Sequence, residues 1–362
     1  MRNDTRNLFT AYCTRLALLN SVASVAATFA VAPAVEQKLE EIIKQGSEFL
    51  QLINITPVTQ QSGDKVGLGT TRSIAGRTDT AGNNRRQPSD PTDSSLKDQY
   101  FCTKTDYDHA IGYPKLDAWR HRPEFQTTLR DAIAKQQGRD RIMIGWNGTS
   151  RAAQTDRVAN PLLQDVNIGW LHKIRTNAPA QVLNDGALTA DPTKAIYVAN
   201  GEGVELLNLA GTNAATADAD YANLDALVLD AKNLLPEWHR GDTELVVIVG
   251  HELLDDKYFN IVNQTGDKAT EVEAADRIIR SEKQLGGLPA IRVPFFPANA
   301  LLITRLDNLS IYWQEETRRR MLKDEPEYNR IANYESVNED FVVEDYELAV
   351  LVENIVRAPK PA

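Results

Sequence analysis

Leu8, Tyr12, Leu16 and Leu19 recur at spacings of three and four, which predicts an amphipathic helix at the start of the chain. A second stripe over 35–55 joins Val35, Leu39, Ile42, Ile43, Phe49, Leu50 and Ile53, with Glu40, Glu41 and Lys44 opposite and Pro57 expected to end the helix. A small-residue hinge separates the two, so 1–57 reads as an arm. Over 100–111 the period changes to two. Phe101, Thr103, Thr105, Tyr107, His109 and Ile111 alternate with Cys102, Lys104, Asp106 and Asp108, the pattern of one half-exposed strand. Together with DKVGLGT (64–70) it forms the limbs of a hairpin whose tip is the polar stretch IAGRTDTAGNNRRQPSDPTDSS (74–95). An isolated two-stranded ribbon is marginal in water, so this one needs a surface to lie on.

Pro123 suits the first turn of a helix. Phe125, Leu129, Ala132, Ile133, Ile142, Met143 and Trp146 predict one long helix to about 146, despite the ~1 kcal/mol that Gly138 costs relative to Ala. Phe125, Leu129 and Ile133 are expected to dock it on a sheet. A shorter helix is predicted over 164–176, closed before Pro179. Residues 184–220 are rich in Gly, Ala, Asp and Thr, with one strand-like run at Ala195–Ala199. From 221 helix and strand alternate. NLDALVLDAKNLLPEW (223–238) is amphipathic, and ELVVIVG (244–250) is a continuous apolar run, as in a strand covered on both faces. HELLDDKYFNIVNQ (251–264) and EVEAADRIIRSEKQL (271–285) read as helices, LPAIRVPFFP (288–297) and ALLITRLDNLSIYW (300–313) as strands. The last segment, 334–355, is rich in Val, Tyr and Phe and reads as antiparallel strands. The whole is an α+β chain.

Composition adds less. The 362 residues are 42% hydrophobic and 25% charged, an ordinary globular balance with room for two lobes. A net charge of −10 argues against a basic surface that grips nucleic acid. The two cysteines, Cys13 and Cys102, offer neither a disulfide framework nor a thiolate metal site. LALLNSVASVAATFAVAPAVEQ (16–37), preceded by Arg2, Arg6 and Arg15, resembles a secretory leader, but Asn20, Ser21 and Ser24 interrupt it and Asp4 sits in the basic region. No other run approaches the ~18 apolar residues of a membrane span, so a soluble chain is expected.

Catalytic and cofactor signals are weak. HELLDD (251–256) puts Asp255 where the second histidine of a zinc helix belongs, and a single Gly250 cannot make a dinucleotide turn. None of His109, His121, His172, His239 and His251 stands at ligand spacing to another. Neither a nucleophile elbow nor a phosphate loop occurs. The expectation is no enzyme, no cofactor and no metal. Charge placement does stand out. Residues 71–90 carry Arg72, Arg77, Arg85 and Arg86 against two aspartates, a net of +2, and 322–353 carry ten acids against two bases, a net of −8. A basic ribbon lying on an acidic region of another copy, through Glu335, Glu339, Asp340, Glu344 and Asp345, is one reading. Two independently solvated surfaces are the other.

LLQDVNIGWLHKIRTNAPA (162–180), LVVIVGHELLDDKYFNIVN (245–263), RVPFFPANALLITRLDNLSIYW (292–313) and NYESVNEDFVVEDYELAVLVENI (333–355), with TRSIAGRTDTAG and the MRNDTR start, resemble the major capsid proteins of peduovirus-type (P-two-like) tailed phages. The resemblance runs over nearly the whole chain and is weakest at 184–220. It implies the Hong Kong 97-type capsid fold: an N-terminal arm (1–57), an extended loop (58–112), a peripheral domain with a spine helix (113–156 and 304–362) and an axial domain (157–303). It further implies self-assembly through hexamers and pentamers into an icosahedral head in the host bacterial cytoplasm. The implied partners are an internal scaffolding protein and protease, a portal at one vertex and packaged double-stranded DNA held without sequence recognition. It also implies an arm trimmed on maturation, with Ala26, Ala27, Phe29, Ala30 and Ala32 in the expected cleavage region. Some relatives crosslink this loop through lysine. Residues 66–96 contain none, so a non-covalent shell is expected. An exported enzyme or binding protein, and a nanocompartment shell of the same fold, are the alternatives.

Overall fold

The structure, a computed structural model, describes residues 1–65, 99–119, 125–188, 193–199, 204–208, 210–253 and 283–360, with isolated positions between 75 and 88. The N-terminal part holds α1 (Asn3–Leu19), β1 (Phe29–Ala30), α2 (Pro33–Gln45), α3 (Glu48–Leu52) and β2 (Asn54–Val58). Next come β3 (Ser62–Asp64), β4 (Gln99–Phe101), β5 (Thr103–Asp106), β6 (His109–Gly112), α4 (Tyr113–Trp119), the long α5 (Phe125–Asn147) and α6 (Trp170–Asn177). The middle of the chain gives β7 (Val182–Leu183), β8 (Ile196–Tyr197), α7 (Leu224–Lys232), α8 (Glu237–Arg240), β9 (Val246–Val249), β10 (Gln284–Leu285), β11 (Leu288–Arg292) and β12 (Leu301–Thr304). It closes with β13 (Leu309–Gln314), β14 (Arg319–Glu325), β15 (Arg330–Val343), β16 (Val350–Val352) and β17 (Ile355–Val356). The helices expected over 251–264 and 271–285 lie almost wholly outside the described residues.

β15 is the axis of the first sheet. Along one edge it pairs with β13 (Leu309↔Val343 to Trp313↔Glu339) and then β14 (Arg319↔Ser336 to Glu325↔Arg330). Along the other edge it pairs with β5 (Thr103↔Glu339) and β6 (Gly112↔Arg330) in one unbroken register. β2 adds in parallel to β13 and β1 antiparallel to β14. Pro57 therefore ends no helix. It lies in β2, an outer strand where a missing N–H is tolerated. The 35–55 helix instead breaks at Gly46–Ser47, between α2 and α3.

The second sheet runs β10-β11-β9-β12-β16-β7. The continuous apolar run survives as β9, parallel to β11 and antiparallel to β12. ALLITRLDNLSIYW is two strands in different sheets, β12 in the second and β13 in the first. The chain returns at the end: β16 pairs β12 and β17 pairs β8, so 350–356 departs from the grouping of 304–362 with the first sheet.

One core joins the two sheets and the helices between them. Trp170 packs edge-on against Trp146 (centroids 4.8 Å) and Phe341 (5.4 Å), and its Nε1 donates to the Ser310 carbonyl at 3.0 Å. Gly145 permits this, because a Cβ there would stand 2.2 Å from the Trp170 ring. α6 starts at Trp170, later than the expected 164, after an extended Gly169 that lies against the Gly145 carbonyl. Along α5, Leu129 and Ile133 are only half-buried, while Ala134, Arg141, Ile142, Ile144 and Trp146 are buried; the Phe125 side chain is outside what is described. The docking stripe thus lies later along the helix than expected. α1 is also rotated from expectation. Leu8 and Leu19 are exposed, whereas Phe9, Tyr12, Cys13, Leu16 and Ala17 pack with Val25, Phe29, Val31 and Leu322. No helix among the described residues is long and apolar enough to cross a membrane. The leader-like run is accounted for by that small core.

Candidate assembly surfaces

Glu335 and Glu339 share a strand face with Val337, Phe341 and Val343, because side chains of β15 alternate. That face looks onto α2 and α5. Arg141, fully buried on α5, donates through Nη1 and Nη2 to Glu40 at 2.6 and 3.0 Å and through Nε to Glu339 at 2.9 Å. Arg318, equally buried in the turn between β13 and β14, donates to Glu40 and to Glu335. Tyr107 Oη donates to Glu339 at 2.5 Å, and Glu36 accepts the Glu316 N–H at 3.1 Å. Glu36 Oε1 and Arg318 Nε stand 3.9 Å apart, too far for a hydrogen bond, and both lack other hydrogen-bond partners.

Burial alone would raise the Glu40 and Glu335 carboxyls, yet the guanidiniums of Arg141 and Arg318 hold Glu40, and that of Arg318 holds Glu335, below their ordinary values. Burial dominates at Glu36 and pushes it up. Four carboxylates and two arginines thus tie α2, α5 and the first sheet into one unit. Glu40, expected on the solvent face of its helix, lies on the buried one with Glu36 and Ile43.

The expected acidic acceptor region is therefore corrected. Glu335, Glu339 and Asp340 are buried in their own chain, at 4%, 0% and 1% exposure, and are already bonded there. Glu344 accepts the Tyr312 hydroxyl at 2.8 Å, and Asp345 caps the turn at Glu347, with His239 Nε2 3.6 Å away. The net of −8 includes acids such as Glu335, Glu339 and Asp340 that the fold pairs internally with arginine and lysine. Of the loop arginines, Arg77, Arg85 and Arg86 are exposed and Arg72 lies outside the described residues. In the expected cleavage region Ala26, Ala27 and Ala30 are exposed, Ala32 is half-buried, and Phe29 is buried and bridged to Arg320. Among the described residues no cluster of acids, histidines and cysteines could hold a metal. Cys102 is fully buried, which drives its thiol up to about 12.

The root of the ribbon is well defined. β3 and β4 pair antiparallel, Ser62↔Phe101 to Asp64↔Gln99. The expected single strand over 100–111 is two pairings. Up to Phe101 the strand follows β3, and from Thr103 it follows β15. The burial phase slips at the switch, with Tyr100 and Cys102 buried, Phe101 exposed at 47%, and Thr105 and Tyr107 buried again.

The family model for phage major capsid proteins of the P2 type matches residues 8–355. The chain is 46% identical to the capsid protein of Escherichia phage P2 over 98% of its own length and 95% of that protein's. It is 42% identical to the major capsid protein of Serratia phage KSP20, covering 99% and 98%. Among solved structures it resembles a chain of the satellite phage P4 procapsid that includes the size determination protein, with a TM-score of 0.77 and 44% identity over 98% of each chain. With its α+β frame, its paired ribbon root and a match running from α1 to the last strand, the chain belongs to the P2 family of phage major capsid proteins.

Proposed function

We propose that copies of this chain form hexamers and pentamers that close an icosahedral head around double-stranded DNA. The ribbon rooted at β3 and β4 spans from one copy to the next. The family membership carries the capsid role and sets aside the exported enzyme. The ribbon geometry supports the mode of association: its limbs leave the body as a two-stranded pair, and such a pair needs further contacts to be stable. Head-to-tail contacts of this kind close into rings when the rotation allows. Arg72, Arg77, Arg85 and Arg86 give register more than affinity, since exposed ion pairs contribute ~0–1 kcal/mol each. The receiving surface is not the buried carboxylate row.

In this reading, 1–57 faces an internal scaffold and is cut between Ala26 and Ala32, where exposed small residues precede the buried Phe29. The 113–156 and 304–349 segments form the peripheral part with α5 as its spine, and 157–303 the axial part. A portal occupies one vertex, assembly takes place in the host cytoplasm, and the shell is held without covalent crosslinks from the ribbon tip. An acidic chain lets packaged phosphates slide past instead of binding. Deleting 74–95 should leave soluble monomers or small rings by gel filtration and electron microscopy, where the full chain gives megadalton shells. Normal shells from that deletion would overturn the role of the ribbon.

A further inference from the structure

At Phe101 the chain leaves the ribbon pair for the sheet. Continuing the register that ends at Thr103↔Glu339 would place Phe101 opposite Phe341, but the ladder stops short of it. Side chains take over. The Phe101 N–H donates to Asp340 Oδ2 at 3.1 Å, and its carbonyl accepts from Arg151 Nη2 at 3.2 Å. Arg151 Nη2 also donates to Asp340 Oδ1 at 2.9 Å, and its Nε donates to Asn167 Oδ1 at 2.8 Å. Lys173 on α6 reaches both Asp340 oxygens, at 2.9 and 2.8 Å. The Arg151 guanidinium stands 5.6 Å from the centre of the Phe101 ring. The backbone of one residue is thus gripped on both sides, its N–H by a buried carboxylate and its carbonyl by an arginine, the two side chains being themselves bonded together.

We infer that Asp340, Arg151 and Lys173 form a clamp on Phe101 that fixes the direction in which the ribbon leaves the body, and that they are positioning residues for shell closure. The inference rests on the reading that the ribbon spans to a neighbouring copy. The physical case is leverage. An extended strand advances ~3.3 Å per residue, so over the proposed span a small change of angle at Phe101 becomes a large displacement at the far end. Apolar contacts at the root, with Tyr100 edge-on to Tyr312 at 5.2 Å and Cys102 and Val58 in the same cluster, hold the limbs together, but apolar burial is non-directional and does not by itself set an exit angle. The hydrogen bonds to the N–H and the carbonyl of Phe101 remove that freedom, because two charge-assisted contacts on successive peptide groups fix orientation as well as distance.

Arg151→Gln tests this with least damage, since Arg151 is partly exposed while Asp340 is not. Hydrogen exchange on the full chain should show the Phe101 amide and its neighbours over 99–103 exchanging at least tenfold faster, with protection over 309–314 and 339–343 unchanged. Shells from cells expressing the full chain with the phage's other head genes should lose uniform size and closure. Arg151→Lys keeps the charge but not the fork, and should fall between the two. Asp340→Asn, read the same way, should show the larger effect; if it does not fold, Arg151→Gln alone decides. Unchanged exchange at 99–103, or faster exchange with uniform shells, overturns the clamp. Should the 74–95 deletion itself form normal shells, the ribbon reading falls; should that deletion fail to assemble while Arg151→Gln shells are normal, only the clamp falls.

Discussion

Arg141 illustrates how much of this fold depends on a few charged side chains placed where apolar ones are usual. It sits in the buried stripe of α5 and is bonded to Glu40 and Glu339. Replacing it by Met leaves the buried Glu339 without its cation and Glu40 with Arg318 alone, and losing one partner of a buried pair costs about 3–5 kcal/mol. Chemical denaturation should show that loss, whereas Arg130→Ala, at an exposed pair with Asp131, should stay within about 0.5 kcal/mol. The network also sets an acid limit. Glu40 and Glu335 are held below the unfolded glutamate value of about 4.3, so their contribution is complete above that pH and is lost as pH falls through their folded values. Glu36, raised by burial, has the opposite sign: its contribution exists below the unfolded value and is lost as pH rises through its folded one. With two groups against one, the melting temperature should fall as the pH drops below about 4.3. A flat profile there would contradict the network's role.

At the scale of elements, contact between α5 and α6 is decided by glycine. Helix propensity alone says that Gly145→Ala stabilises by about 1 kcal/mol. The Trp170 ring lies where that methyl would go, so the substitution should instead destabilise by about 1–3 kcal/mol or more, through displaced aromatic packing. Thermal melting gives the sign directly. The same packing sets which stripe of α5 is buried. The half-burial of Leu129 and Ile133, against full burial of Ile142 and Trp146, follows from where α6, α2 and α3 press on α5, which a helical wheel does not record.

For the whole molecule, the arm divides in two. α1 and the 20–32 segment pack on β14 and β6 through small apolar clusters and part-buried bonds such as Thr5 to Asp117. α2 carries Glu36 and Glu40 into the network. Removing 1–32 should therefore leave a folded chain with a modest drop in melting temperature. Removing 1–45 should give insoluble protein, because Arg141 and Arg318 then lose a shared carboxylate. Equal solubility of the two truncations would show that α2 does not anchor the arm.

Some of this was determined by the sequence alone. The long helix α5, the apolar β9 run and the family all follow from local periodicity and from long matching segments, which depend on near neighbours or on direct comparison. Other features belong to tertiary structure. Alternation along β15 gives Glu335 and Glu339 the parity of Val337, Phe341 and Val343, but nothing local says that Asp340, of the opposite parity, is buried as well. The acids read as a surface because the cations that neutralise them, Arg141, Arg151, Lys173 and Arg318, come mostly from distant parts of the chain. The same holds for the change of strand partner at Phe101. A burial alternation reports which face is covered, but which strand lies alongside is a property of the assembled sheet.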